Sequence, residues 1–230
     1  MGGGGMTGIV IPTFNEADNL PTLLEGLSVI DATILIIDDG STDGTQDVAE
    51  ELGATVIQRG KKLGLASAYV KGMGVALEMG LDPIVQMDAD LSHQPSDVPR
   101  LLTMAQNVDL VLGSRWVDGG GIENWETSRE LLSKFGSGYA RTLLSLPYRD
   151  LTGGFKAWRA ATLQEIDLPS IRSEGYAFQV ETTHRAHRLR ASIQEVPIVF
   201  ADRLAGQSKM SWGIAIEAAW VVPMLRWRSR

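Results

Sequence analysis

The first half of the chain alternates short apolar runs with stripes of helical period. Gly8-Ile9-Val10-Ile11-Pro12 is a compact apolar run ended by proline, the pattern of a buried parallel strand. From Ala17 to Val29, Leu20, Leu23, Leu24 and Leu27 recur at three- and four-residue spacing, which predicts one apolar face of a helix. The same alternation continues with strands over 33–37, 54–58, 83–87 and 109–113. Helices are predicted over 46–52, 65–79 and 96–106, with Gly53 and Gly80 as C-terminal caps. Strands separated by helices predict right-handed βαβ units, hence an α/β fold with a mostly parallel sheet and helices on both faces.

The second half is less regular. Trp116 to Asn124 is a glycine-rich loop, Glu126 to Leu146 a long helix, and Asp150-Leu151-Thr152-Gly153-Gly154-Phe155 a turn into a short segment. A helix over 177–189, a strand over 192–199, a polar stretch over 200–211 and a last helix over 212–228 complete the reading. There is no internal repeat and no linker, so the 230 residues read as a single domain. The glycines at 2–5 make residues 1–7 a flexible start outside the fold. Residues 8–211 then form the main domain and 212–230 an amphipathic helix.

Three polar clusters end predicted strands: Thr13 to Glu16, Asp38 to Ser41, and Asp88-Ala89-Asp90. In open α/β sheets, ligands bind beyond the carboxyl ends of strands. Two carboxylates one residue apart repel unless a positive charge sits between them. Carboxylate oxygens suit Mg²⁺ or Mn²⁺, whose coordination is commonly completed by substrate phosphates. The plainer alternative is an acidic turn that solvates a strand end. No G-x-G-x-x-G follows the first strand and no G-x-x-x-x-G-K-[ST] occurs, so dinucleotide and P-loop sites lose their main support. Asp39 suits a nucleotide's base or ribose, although Asp-Gly-Ser is also good turn chemistry.

Composition narrows the class. The net charge of −7 argues against broad nucleic-acid binding. No cysteine is present, which excludes disulfides and thiolate metal sites. From Glu181 onward, eight Lys/Arg face four acids, so the last stretch is basic and the rest acidic.

Taken together, Pro12 to Glu16, Asp38 to Ser41, Asp88 to Asp90 and Gly113-Ser114-Arg115 resemble the inverting family 2 glycosyltransferases of the GT-A fold, a Rossmann-like architecture. Gly119 to Trp125, Asp150 to Phe155, Glu174-Gly175-Tyr176, and Arg203 with Gly206 to Met210 narrow the resemblance to dolichol- or polyprenol-phosphate mannose synthases. It runs in order from about residue 8 to about residue 211. The resemblance implies that Pro12, Phe14, Glu16, Ile37 and Asp39 line a guanosine pocket. It implies that Asp88 and Asp90 hold the metal, with the Ala89 backbone near the nucleotide. Some members carry glutamine as a further ligand two residues past the second aspartate; here Ser92 or a water takes that place. Arg115, Arg129 and Ser133 match positions that receive the lipid phosphate, and Arg203 and Lys209 match a basic loop over the donor diphosphate. Arg129 and Ser133 share one face of the predicted helix, which a solvated surface would also explain.

The implied reaction is transfer of mannose from GDP-mannose to a polyprenol or dolichol phosphate, with inversion, aided by Mg²⁺ or Mn²⁺. Asp90 and Arg115 are its central residues. An acceptor phosphate needs positioning rather than deprotonation, because its second pKa is about 6, so a missing base is expected. Of the histidines, only His93 falls near the site; Gln179 and Glu181 are further residues expected to face the sugar. The last helix carries Trp212, Trp220 and Trp227 with Arg226, Arg228 and Arg230. It suits either packing on the core or a peripheral place on the cytoplasmic face of a membrane, with or without a separate anchoring protein. Alternatives are a UDP-sugar-dependent transferase, for example of glucose, and a non-catalytic nucleotide-sugar-binding partner subunit.

Overall fold

The computed structural model describes residues 5–201 and 222–227. Seven strands form one sheet in the order β3-β2-β1-β4-β7-β5-β8. They are β1 (Thr7–Thr13), β2 (Ala32–Asp38), β3 (Thr55–Gln58), β4 (Ile84–Gln86), β5 (Leu110–Ser114), β7 (Lys156–Trp158) and β8 (Ile193–Pro197). All neighbours pair in parallel except β7, which runs antiparallel to both β4 and β5. The expected mostly parallel sheet is therefore present, with one reversed strand in its middle.

Strand side chains alternate between two cores. Val10, Leu35, Ile37, Leu110 and Leu112 face a layer built from α3 (Leu65–Glu78) and α7 (Gly175–Arg188), joined by the end of α5 (Thr127–Leu144). Ile9, Ile11, Ile36 and Val111 face α1 (Leu20–Leu27), α2 (Thr45–Glu51) and α4 (Val98–Ala105). Burial on both faces explains why these strands are continuous apolar runs rather than alternating ones. On α1, the four leucines of the predicted stripe are all buried. Gly72 lets α3 lie close on the sheet: a Cβ there would stand 2.4 Å from Val10 Cγ1 and 2.7 Å from Ile37 Cγ1.

The differences from the sequence reading are local. The glycine-rich loop contains a short strand, β6 (Gly121–Glu123), paired with β9 (Val199–Ala201). The strand expected over 192–199 is two strands, β8 and β9, and a short helix, α6 (Ala160–Glu165), follows β7. These elements are too short to carry a hydrophobic period. Residues 222–227 are helical; the rest of the expected last helix, including Trp212 and Trp220, lies outside the described residues.

The reversal of β7 brings the site together. Its pairing sets Gln86 and Leu112 opposite Lys156. The turn before it, Asp150 to Phe155, thus arrives at the carboxyl ends of β4 and β5, between Asp88 and Arg115.

Candidate active site

A cavity of about 380 Å³ opens at this edge, within the range that holds small ligands. On one side it is lined by Pro12, Phe14, Glu16, Asp39, Asp88, Ala89 and Asp90, and on the other by Arg115, Trp125, Arg129 and Thr152.

The carboxylates are held individually. Tyr69, fully buried on α3, donates its hydroxyl to Asp88 Oδ1 at 2.6 Å. Burial and the two nearby carboxylates push the Tyr69 phenol well above its usual range, so it stays a donor. The Asp88 N–H donates to His93 Nδ1 at 3.1 Å. Asp90 Oδ1 accepts from the Ser92 N–H at 3.2 Å and from the Ser92 hydroxyl. Gly154 faces Asp88, and a Cβ there would lie 3.5 Å from Asp88 Oδ2 and 3.4 Å from Gln179 Nε2. Two carboxylates beside an open space left by a glycine fit a hard divalent cation. No group of three or more His, Asp or Glu side chains suited to a metal occurs among the described residues.

His93 does not line the cavity. It is buried between Phe155 and Phe200, 4.9 and 5.2 Å between ring centroids, and burial depresses its pKa. Its Nδ1 lone pair already takes the Asp88 N–H, so its 3.9 Å approach to Asp88 Oδ2 is not an ion pair. His184 and His187 do not line the cavity. Glu181 also falls away from the cavity: it pairs with Arg185 and accepts from the Ser173 hydroxyl. Gln179 is on the lining.

On the opposite wall, Arg115 is 4% exposed. Its Nε and Nη2 donate to the two oxygens of Asp150 at 2.7 and 2.8 Å, and its backbone N–H adds a third bond at 3.0 Å. Nη2 also reaches Thr152 Oγ1 at 3.0 Å. Burial works to raise the Asp150 pKa, but the Arg115 guanidinium outweighs it and holds the carboxyl below its usual range. Nη1 is left out of these bonds. Trp116, Trp125 and Phe200 surround the guanidinium at 5.2 to 5.4 Å, and the Arg129 guanidinium lies 4.0 Å over the Trp125 ring.

Several expected residues are placed differently. Ile37 is core, with its side chain against Gly72, rather than cavity lining. Ser133 bonds Thr152 Oγ1 at 3.3 Å but does not itself line the cavity. Asp39 lines the cavity but is engaged: Oδ2 accepts from the Leu63 and Gly64 N–H groups at 2.9 and 3.0 Å. The Arg59 guanidinium stands 2.9 Å from Oδ1, charged contact at an angle that makes no hydrogen bond. Arg203 and Lys209 lie outside the described residues.

Sequence reasoning assigned no role to Tyr69, Asp150, Trp125 or Lys62. Lys62 Nζ stands 3.8 Å over the Phe14 ring. The signal for Asp150 was its place in a polar turn; for Tyr69 there was none, because a tyrosine on an apolar helix face reads as core.

The sequence profile of Glycosyl transferase family 2 matches residues 8–166. The undecaprenyl-phosphate mannosyltransferase of Micrococcus luteus is 48% identical over 225 residues, covering 95% of this chain and 92% of that protein. The polyprenol monophosphomannose synthase of Mycolicibacterium smegmatis is 41% identical over 223 residues, covering 93% and 84%. Among solved structures, glucosyl-3-phosphoglycerate synthase from Mycobacterium tuberculosis, in complex with Mn²⁺, UDP and phosphoglyceric acid, superposes with a TM-score of 0.73 at 18% identity, over 98% of this chain and 79% of that one. That likeness is one of fold. With the sheet, the paired carboxylates and these relatives together, the chain belongs to glycosyl transferase family 2 and is a glycosyltransferase.

Proposed function

We propose that the protein transfers mannose from GDP-mannose to a polyprenyl phosphate, with inversion at the anomeric carbon and with Mg²⁺ or Mn²⁺. The observation that carries this reading is the division of one cavity between a carboxylate wall, Asp88 and Asp90, and a buried guanidinium, Arg115, locked by Asp150. The names of the two relatives supply the acceptor and sugar class.

A divalent cation at Asp88 and Asp90 supplies charge neutralisation to the departing diphosphate. Phe14 offers an aromatic face for the base. Arg115 cannot swing, because two of its nitrogens are tied to Asp150; it presents a fixed positive charge, beside Arg129, to the acceptor phosphate. The phosphate oxygen is already ionised, so the protein holds nucleophile and donor in line and needs no base. His93, with its Nδ1 lone pair occupied, fits that account.

In this reading residues 8–211 serve as the catalytic domain, with Thr7 of the expected start already part of β1. No helix among the described residues is long and apolar enough to cross a membrane. Leu131 and Phe135 on α5 are 63% and 71% exposed, and Trp227 is 82% exposed. Leu131 and Phe135, four residues apart, give α5 an exposed apolar face, which supports a peripheral place on a lipid surface.

The test is transfer of labelled mannose from GDP-mannose to a short polyprenyl phosphate in detergent, with and without Mn²⁺, for the wild type and Asp90→Ala. Metal-dependent product that vanishes in the variant is expected. Transfer from a UDP-sugar alone would replace the donor. No transfer from any donor would overturn the reading.

A further inference from the structure

Both carboxylates of the Asp88–Asp90 turn have one oxygen already committed to a hydroxyl. Asp88 Oδ1 takes the Tyr69 phenol at 2.6 Å, a length typical of a charge-assisted bond. Asp90 Oδ1 takes the Ser92 hydroxyl and N–H. Tyr69 is immobile. It is fully buried, and its ring stacks on Phe178 at 6.1 Å between centroids and 4° between planes. Ser92 is fully buried too, and its backbone carbonyl accepts from the Ala201 N–H at 3.3 Å. At the other end of the Asp88 side chain, Oδ2 borders the space that Gly154 leaves open.

We propose that Tyr69 and Ser92 are positioning residues that fix Asp88 and Asp90 so that each carboxylate offers one oxygen, rather than a chelating pair, to a divalent cation. The inference rests on the metal-dependent reading above and gives Ser92 a different part from that of a ligand. A hydroxyl on the outer oxygen of a ligating carboxylate sets its rotation, and loss of such a partner typically weakens metal binding about 10–100-fold. A cation held by so few protein oxygens depends on the nucleotide diphosphate for the rest of its shell. Mn²⁺ binding is then strongly enhanced by GDP.

The alternative is that Tyr69 merely satisfies its own buried hydroxyl. Mn²⁺ titration followed by electron paramagnetic resonance, with and without GDP, separates the two. It is run on wild type, Tyr69→Phe and Ser92→Ala, alongside GDP binding in EDTA and thermal melting. Phenylalanine keeps the stacking on Phe178 and leaves no unsatisfied donor. The expected result is about 10–100-fold weaker Mn²⁺ binding in the presence of GDP for each variant, with metal-free GDP affinity unchanged. Mn²⁺ affinity within about twofold of wild type in a folded Tyr69→Phe overturns the proposal. So does an equal loss of metal-free GDP binding, which would make Tyr69 a general pocket residue. Should Tyr69→Phe not fold, unchanged Mn²⁺ affinity in Ser92→Ala overturns the proposal by itself. A wild type that binds no Mn²⁺ with GDP or UDP removes the metal reading of the function itself, a failure distinct from the others.

Discussion

At the scale of single residues, the Arg115–Asp150 pair dominates. Removing one partner of a buried ion pair leaves an uncompensated charge, so Asp150→Ala is expected to lower stability by about 3–5 kcal/mol in urea unfolding. Arg115→Lys keeps the charge but not the two-pronged geometry. Transfer to the phosphate acceptor should fall on the order of 10²-fold, read as kcat/KM for that substrate. Lys156 makes the pH prediction. Burial pushes its ammonium down to about 7, with the Asp150 carboxylate pulling the other way, and Nζ donates to Gln179 O, Thr182 Oγ1 and Thr183 Oγ1 at 2.8 to 3.1 Å. An unfolded lysine titrates near 10.4. Between those values the unfolded chain binds the proton and the folded chain does not, so this residue makes stability rise with pH. Below the folded pKa both states are charged and the burial penalty stands in full. Urea midpoints measured between about pH 7 and 10 should rise for wild type relative to Lys156→Met; parallel curves would contradict this.

At the scale of elements, most of the sheet was legible and its central exception was not. β1, β2 and β5 announce themselves because strands buried on both faces must be apolar throughout, and α1 and α3 because one face must be. Lys156-Ala157-Trp158 has a charged first residue and three positions in all, so no period marks it as a strand, and nothing local tells its direction. The same limit applies to the site. Asp88, Asp90 and Arg115 were readable because charge at a strand end is conspicuous. Tyr69 was not, since nothing local shows which carboxylate its hydroxyl meets. Ile37 was misplaced because a strand's carboxyl end carries both cavity and core positions, and Gly72 decides between them. The close approach at Gly72 is itself testable: Gly72→Ala forces a Cβ into Val10 and Ile37 and should cost about 1–3 kcal/mol of stability by thermal or urea unfolding.

At the scale of the whole molecule, α5 carries the exposed side chains of Leu131 and Phe135, and Arg226 of the 222–227 helix bonds the Leu143 carbonyl at the C-terminal end of α5. Leu131 and Phe135, four residues apart, thus give one side of α5 an exposed apolar face. If that side meets lipid, Leu131→Glu with Phe135→Glu should release the protein from vesicles in a flotation assay. Transfer to a long-chain acceptor in vesicles should fall, while transfer to a short, soluble acceptor stays near wild type. Equal loss on both acceptors would place the effect in the site rather than at the surface.

The reversed strand also bears on the order in which the chain is made. β4 and β5 both leave the ribosome before β7, yet β7 lies between them in the finished sheet. Until Lys156 to Trp158 emerge, two apolar edges stand exposed with no partner between them, the arrangement that invites wrong pairing or aggregation. A nascent chain stopped short of residue 156 therefore holds Asp88, Asp90 and Arg115 but cannot close the sheet that sets them around one cavity. The cavity can therefore close only late, after a three-residue strand has entered a gap that the earlier chain has had to keep open and after Gln179 and Phe200 have followed it.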